Sequence, residues 1–166
     1  MVVCGGRGPT AMIIKAATVG RKAVFDKKVS CHTGMVVKWG GQFFIAEMLA
    51  SGLCISPFSR YEKAKDRRFI LDIKRSPVYS SPAKRKALQA RVALDYRHSI
   101  EYDWKGDINF VIKRVKNSKG RYYCSEHYQY QTKKDGVPYP GRFDIRVSPH
   151  DLQECVVFSS VNGWNG

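Results

Sequence analysis

The stretch "CHTGMVVKWGGQFFIAEML", Cys31 to Leu49, decides how the rest of the chain is read. Two runs rich in β-branched and aromatic residues flank Gly40-Gly41, and a glycine pair in that setting marks a two-residue hairpin turn, whose central positions need positive φ. With the glycines at the tip, Trp39 pairs with Gln42, and every opposed pair carries the same index sum, so Gly34 faces Glu47 and His32 faces Leu49. Side chains alternate across a strand, so His32 and Glu47 share a face as diagonal neighbours, within reach of a carboxylate–imidazole contact. Gly34, lacking a side chain, leaves space above it for that contact. The other face, with Cys31, Thr33, Met35, Val37, Phe44, Ala46 and Met48, is apolar enough to bury.

A second stretch, "RYYCSEHYQYQ" from Arg121 to Gln131, supplies the partner chemistry. Cys124 precedes Ser125, Glu126 and His127 at what reads as a helix start, so it is presented rather than packed in an apolar run. A helix N-terminus carries unsatisfied N–H groups and about half a positive charge, which favours a thiolate, as does a neighbouring imidazolium. A cysteine, a histidine and a carboxylate that fixes the histidine tautomer are the parts of acyl-transfer catalysis: Cys124 as nucleophile, His32 as base and acid, Glu47 as orienter. The helix-terminal N–H groups would hold the oxyanion. Tyr123 reads either as a cap on that oxyanion site or as packing, and Ser125 and Tyr102 are further oxyanion or pocket candidates. His98, His127 and His150 read as surface or supporting positions, and Cys31, Cys54 and Cys155, in apolar runs, as core.

Around these stretches the chain reads as α+β. Ala11–Ala17 is a short helix ending at Gly20, and Arg67–Ile73 a strand. Ser81-Pro82 opens an alanine-rich helix to Tyr96, with serine as N-cap and proline in the first position. Gly106–Lys116 is a strand with a turn at Asn117–Gly120, Cys124–Lys134 a helix, Ser148-Pro149 the start of a helical turn, and Cys155–Phe158 a last strand. The expectation is one domain over residues 1–166, with 1–29 an N-terminal segment left without further assignment.

Composition narrows the class. With 166 residues, 43% hydrophobic and 12% aromatic, the chain can bury a core and is not disordered. The surplus of 29 Lys+Arg over 14 Asp+Glu, a formal charge of +15, identifies the sign of a partner rather than its kind. Five cysteines in an odd set without framework spacing, no signal-peptide pattern and no long apolar run argue for reduced thiols, no transmembrane segment and a cytoplasmic location. Release by lysis or delivery by another machine is compatible with that. No cofactor or metal is expected: Cys124-x-x-His127 with His32 offers three ligands, but no second pair has zinc spacing, and Cys31 and His32 point to opposite faces of a strand. "GGRG" at Gly5–Gly8 lacks the Lys-Ser/Thr ending of a phosphate loop.

The order "CHTGMVV…FFIAEML", "SPFSRY" (Ser56–Tyr61), "YDW" (Tyr102–Trp104), "YYCSE" (Tyr122–Glu126) and "SPHDL" (Ser148–Leu152) resembles the permuted NlpC-type papain-like family of cysteine amidases and peptidases (YiiX-like). The resemblance runs from about residue 30 to 155. It implies a circularly permuted papain-like fold, an antiparallel sheet packed on helices, with His32, Glu47 and Cys124 as a triad. It also implies an amide bond as substrate, in a cell-wall peptide or a lipid-like acyl compound. The positive surface suits an anionic substrate or surface such as peptidoglycan, teichoic acid or phospholipid.

A reading from another class is a non-enzymatic polyanion- or nucleic-acid-binding protein. Basic clusters interleaved with aromatics, "RYEKAKDRRF" (Arg60–Phe69) and "KRVKNSKGRYY" (Lys113–Tyr123), have the composition of such surfaces. That reading leaves the order of Cys-Ser-Glu and His-x-Gly unexplained.

Overall fold

The hairpin forms where the sequence places it. In the computed structural model, which describes residues 1–63, 68–105, 120–140 and 147–161, Gly40 and Gly41 adopt φ of +54° and +82°, conformations that cost glycine least. Strands β2 (His32–Trp39) and β3 (Gln42–Leu49) pair antiparallel, with Trp39 opposite Gln42 and Met35 opposite Ala46. The chain turns once more into β4 (Gly52–Pro57), a strand the sequence reading did not assign, which pairs with β3 and sets Cys54 opposite Glu47.

The sheet is mixed in sequence order but antiparallel throughout: β4-β3-β2-β1-β5-β6. Its middle is a strand that the reading of residues 1–29 passed over. Strand β1 (Val2–Gly6) is buried along its whole length and lies between β2 and β5 (Arg68–Arg75). A strand covered on both faces shows no alternation of polar and apolar residues, and here only Val2-Val3-Cys4 precede two glycines. Helix α1 (Pro9–Thr18) follows, as its apolar run predicts, and leads through a 3₁₀ turn at Arg21–Ala23 to β2.

After β4 comes the short helix α2 (Ser59–Lys63), then β5, a 3₁₀ turn at Pro77–Ser80 and helix α3 (Pro82–Arg97), with Ser81 accepting from the Lys84 amide as expected of its N-cap. Helix α4 (Cys124–Lys133) starts at Cys124. Helix α5 (Pro149–Glu154) opens on a capping box, in which the Ser148 hydroxyl accepts from the Asp151 amide while the Asp151 carboxylate accepts from the Ser148 amide. The expected last strand Cys155–Phe158 is a turn instead: the Phe158 amide donates to the Cys155 carbonyl, and Val156 is 89% exposed. Its apolar composition serves to pin Cys155 and Phe158 into the core, and the strand proper, β6 (Ser159–Ser160), comes after it against β5. The strand expected at Gly106–Lys116 lies outside the described residues.

Two clusters hold the layers. On one face of the sheet Met35, Val37, Ala46 and Met48 pack with Leu88 and Val92 of α3, Tyr128 of α4 and Leu152 of α5. On the other, Val2, Cys4 and Ile45 pack with Tyr61 of α2. Among the described residues no helix is long and apolar enough to cross a membrane.

Gly34 shows how tightly the hairpin register is held. A Cβ there would lie 2.7 Å from Cγ2 of Ile45 and 3.0 Å from the Ala46 carbonyl oxygen, so the gap above Gly34 is filled largely by its neighbour strand. Gly34→Ala should lower stability by about 1–3 kcal/mol through overpacking, measured by urea denaturation. An unchanged midpoint would mean that this register is wrong.

Candidate active site

The chemistry-bearing residues converge at one end of the sheet, where β1 finishes, β2 begins and β3 finishes. There a cleft of about 300 Å³ is lined by both His32 and Cys124, with Gly6, Gly8 and Thr10 on the β1–α1 side and Tyr102 and Trp104 on another. Cys124 packs with the cluster on the helix face, whereas Glu47, the partner of His32, is bonded to Tyr61 on the α2 face. The two faces meet only around the end of the sheet.

Glu47 is the anchor of the arrangement. Its carboxylate is 2% exposed, and an isolated charge so buried would be protonated instead. Oε2 lies 2.7 Å from Nε2 of His32. The Tyr61 hydroxyl donates to the same oxygen, and the Ser56 side chain also bonds the carboxylate. Ser56 in turn accepts from Arg60, 3.5 Å away, which leaves its own proton for Glu47. Burial pushes the Glu47 carboxyl up, but His32, Tyr61 and Ser56 together outweigh it and hold it down at about 2.

The imidazole is loaded from the other side. Burial disfavours its charge, yet the Cys124 side chain, which hydrogen-bonds the ring, and the Glu47 carboxylate more than compensate, and His32 is raised to about 9. Since Nε2 is engaged by Glu47, Nδ1 is the nitrogen left to exchange a proton with the thiol.

Cys124 owes its place to the chain just before it. Tyr122 and Tyr102 form an isolated bridge, in which the Asp103 amide donates to the Tyr122 carbonyl and the Tyr122 amide to the Glu101 carbonyl. This clamp fixes the segment two residues before the cysteine. Tyr123 then takes an extended backbone at the N-cap, with no side-chain cap, and the first helical bond runs from the His127 amide to the Tyr123 carbonyl. The amides of Cys124 and Ser125 therefore lie in the part of the helix that has no intrahelical acceptor.

Of the pocket candidates, Tyr102 lines the cleft and Tyr123 and Ser125 do not. Tyr123 is buried. The Ser125 hydroxyl donates to the Val147 carbonyl at 2.6 Å, tying α4 to the segment before α5. His127 is not a surface residue and does not line the cleft: it is 1% exposed, with Nε2 2.8 Å from the Asp95 carboxylate of α3. It therefore does not join Cys124 and His32 as a third metal ligand. Cys54 is half-buried beside Ser51 rather than in the core.

The sequence reading missed Tyr61, Ser56 and Trp104 as parts of the site. The first two sit inside the quoted "SPFSRY", and the signal was available: a carboxylate assigned to an apolar strand face needs donors beyond one histidine. Trp104 is 53% exposed against Tyr102, an apolar ring at the mouth of the cleft. No protein-family model matches the chain, and no curated protein matches it in sequence.

The two shifts work in opposite directions along the pH axis. Glu47 is lowered from 4.5 to about 2, so its stabilisation is present above pH 4.5 and is lost as pH falls through about 2. His32 is raised from 6.5 to about 9, so its stabilisation is complete below pH 6.5 and is lost as pH rises through about 9. Thermal stability should therefore be highest between those two ordinary values. Glu47→Gln, which breaks a buried pair, should lower the stability at that maximum by about 3–5 kcal/mol and flatten the alkaline fall. A variant with the wild-type pH profile would contradict the assignment.

Proposed function

We propose that this chain is a thiol hydrolase of the circularly permuted papain-like (NlpC-type) kind, cleaving an amide bond through a thioacyl intermediate. The observation that carries the reading is a single half-buried imidazole held by Glu47 on one side and engaged by Cys124 on the other. Cysteine, histidine and carboxylate come from three separate elements, and hydrogen bonding in that order is what nucleophilic acyl transfer requires.

The steps follow from the geometry. Cys124 gives its proton to Nδ1 of His32, and its sulfur attacks the substrate carbonyl carbon. The oxyanion takes donors from the first turn of α4, where amides have no intrahelical acceptor. His32 then protonates the leaving nitrogen, the C–N bond breaks, and a thioester to Cys124 remains. Water, deprotonated by His32, attacks that thioester and returns the free thiol and a carboxylic acid. Glu47 stays ionised throughout and keeps the imidazole in one orientation. Tyr61 and Ser56 act only through Glu47, as positioning residues.

The cleft also bears on substrate. Among the described residues that line it none is Lys, Arg, Asp or Glu, and much of the wall is Gly, Ala, Pro and Thr. Small, uncharged groups beside the scissile bond fit it, as in a cell-wall peptide or a lipid-like acyl amide, while the surplus positive charge draws in an anionic polymer or surface at longer range. A cytoplasmic enzyme would meet a wall substrate after lysis or after delivery by another machine. The charge of +15 also supports the second reading, polyanion or nucleic-acid binding without catalysis, which makes no use of the His32–Glu47 pair.

Alkylation separates the two. Exposure alone ranks the half-buried Cys54 above Cys124, which is 5% exposed. With limiting iodoacetamide and peptide mass spectrometry, Cys124 should instead be modified first at pH 7, and His32→Ala should slow it by about tenfold or more. Turnover of any amide substrate found should fall as pH rises through about 9, where the imidazolium is lost. Preferential labelling of Cys54 in both proteins would favour the binding reading.

A further inference from the structure

A second and larger cavity, of about 780 Å³, opens at the opposite end of β2, where β1 begins and β5 ends, and among the described residues shares no lining residue with the cleft of His32 and Cys124. Its inner walls on the α3 side are apolar: Met35 and Val37 of β2, Leu88 of α3 and Tyr128 of α4. Its rim is cationic, with Lys38, Lys74, Arg75, Arg85 and Lys86, and among the described residues none that lines it is Asp or Glu. The volume falls within the about 300–1,000 Å³ of small-molecule sites.

We propose that this cavity binds a single-chain amphiphile with an anionic head, its aliphatic tail between the sheet and α3 and its head on the basic rim. The division of the lining carries the assignment. An apolar interior alone would accept any hydrophobic compound, but five cations without one carboxylate among the described lining residues select the charge of whatever projects from the mouth. Part of the rim is also set in place. Nη1 of Arg85 donates to the carbonyls of Tyr79 and Ser80 at 2.7 and 2.8 Å, which holds the guanidinium at the mouth, while Arg75 and Lys86 are exposed beside it. A nucleic acid or polyphosphate would use the rim and leave the walls uncovered. The proposal does not rest on the catalytic reading, although Tyr128 stands one turn along α4 from Cys124.

The test is titration calorimetry with dodecyl phosphate, laurate, dodecyltrimethylammonium and inorganic phosphate, each chain compound below its micelle concentration. The two anionic amphiphiles should bind one to one, the cationic one about tenfold more weakly or worse, and inorganic phosphate far more weakly than dodecyl phosphate. Whichever anion binds better names the source, a phosphate headgroup or a free fatty acid. Lys86→Glu and Arg75→Glu, both at exposed positions, should each weaken binding several-fold with unchanged melting temperature, and Gln89→Trp at the mouth should block it. Cys124→Ala should bind as the wild type does. Equal binding of the cationic amphiphile, binding of phosphate without a tail, no binding of either anion, or charge reversals without effect would each overturn the proposal. Should Gln89→Trp fail to fold, the charge reversals still decide.

Discussion

A buried carboxylate that must stay ionised is the constraint on which the rest of this structure depends. Glu47 sits on a sheet face near the end of β3, and removing its water would protonate it unless donors took the water's place. His32, Tyr61 and Ser56 supply them, from β2, α2 and β4. Each of those elements is thereby required where it stands. The hairpin turn sets the register that brings β2 beside Glu47, β4 brings Ser56 back along β3, and α2 folds over the sheet so that the Tyr61 hydroxyl can reach in. A displacement of one residue in the hairpin would send the carboxylate to the face covered by α3 and α4, where the packed side chains are Met35, Val37 and Leu88.

The second constraint is topological. Cys124 belongs to the helix-covered face of the sheet and the His32–Glu47 pair to the other, so they meet where the strands end. That explains the use of β1 as the central strand. Its short apolar run ends in glycines at this place, and the chain leaves through Gly6 and Gly8 with little side-chain bulk, keeping the cleft open beside His32. The Tyr102–Tyr122 bridge performs the matching task on the other side, holding the approach to Cys124.

Much of this was legible in the residues because it rests on short-range rules. Gly40-Gly41 specifies the turn, alternation then specifies the shared face of His32 and Glu47, and Ser81-Pro82 and Ser148-Pro149 specify helix starts. What was not legible rests on long-range packing. Val2–Gly6 becomes a central strand because β2 and β5 flank it, which no local pattern in three apolar residues reveals. Cys155–Phe158 has strand composition but a turn's hydrogen bond, since burying Cys155 and Phe158 does not need an extended chain. His127, in a polar run, read as either a surface or a supporting position, and Asp95, from a helix distant in sequence, satisfies it within the interior. The side chains of Tyr123 and Ser125 were candidates for the cleft by sequence proximity to Cys124, and the helical turn directs them elsewhere.

The coupling of His32 to both Cys124 and Glu47 is the centre of the account, and it can be read without any substrate. Nitrogen-15 NMR of the His32 ring, titrated in the wild type and in Cys124→Ala, measures it directly. The account predicts a ring still charged at pH 8, titrating near 9, and a clearly lower midpoint once the thiol is removed. A ring that is neutral at pH 7 in the wild type, or one that titrates identically in both proteins, would contradict it.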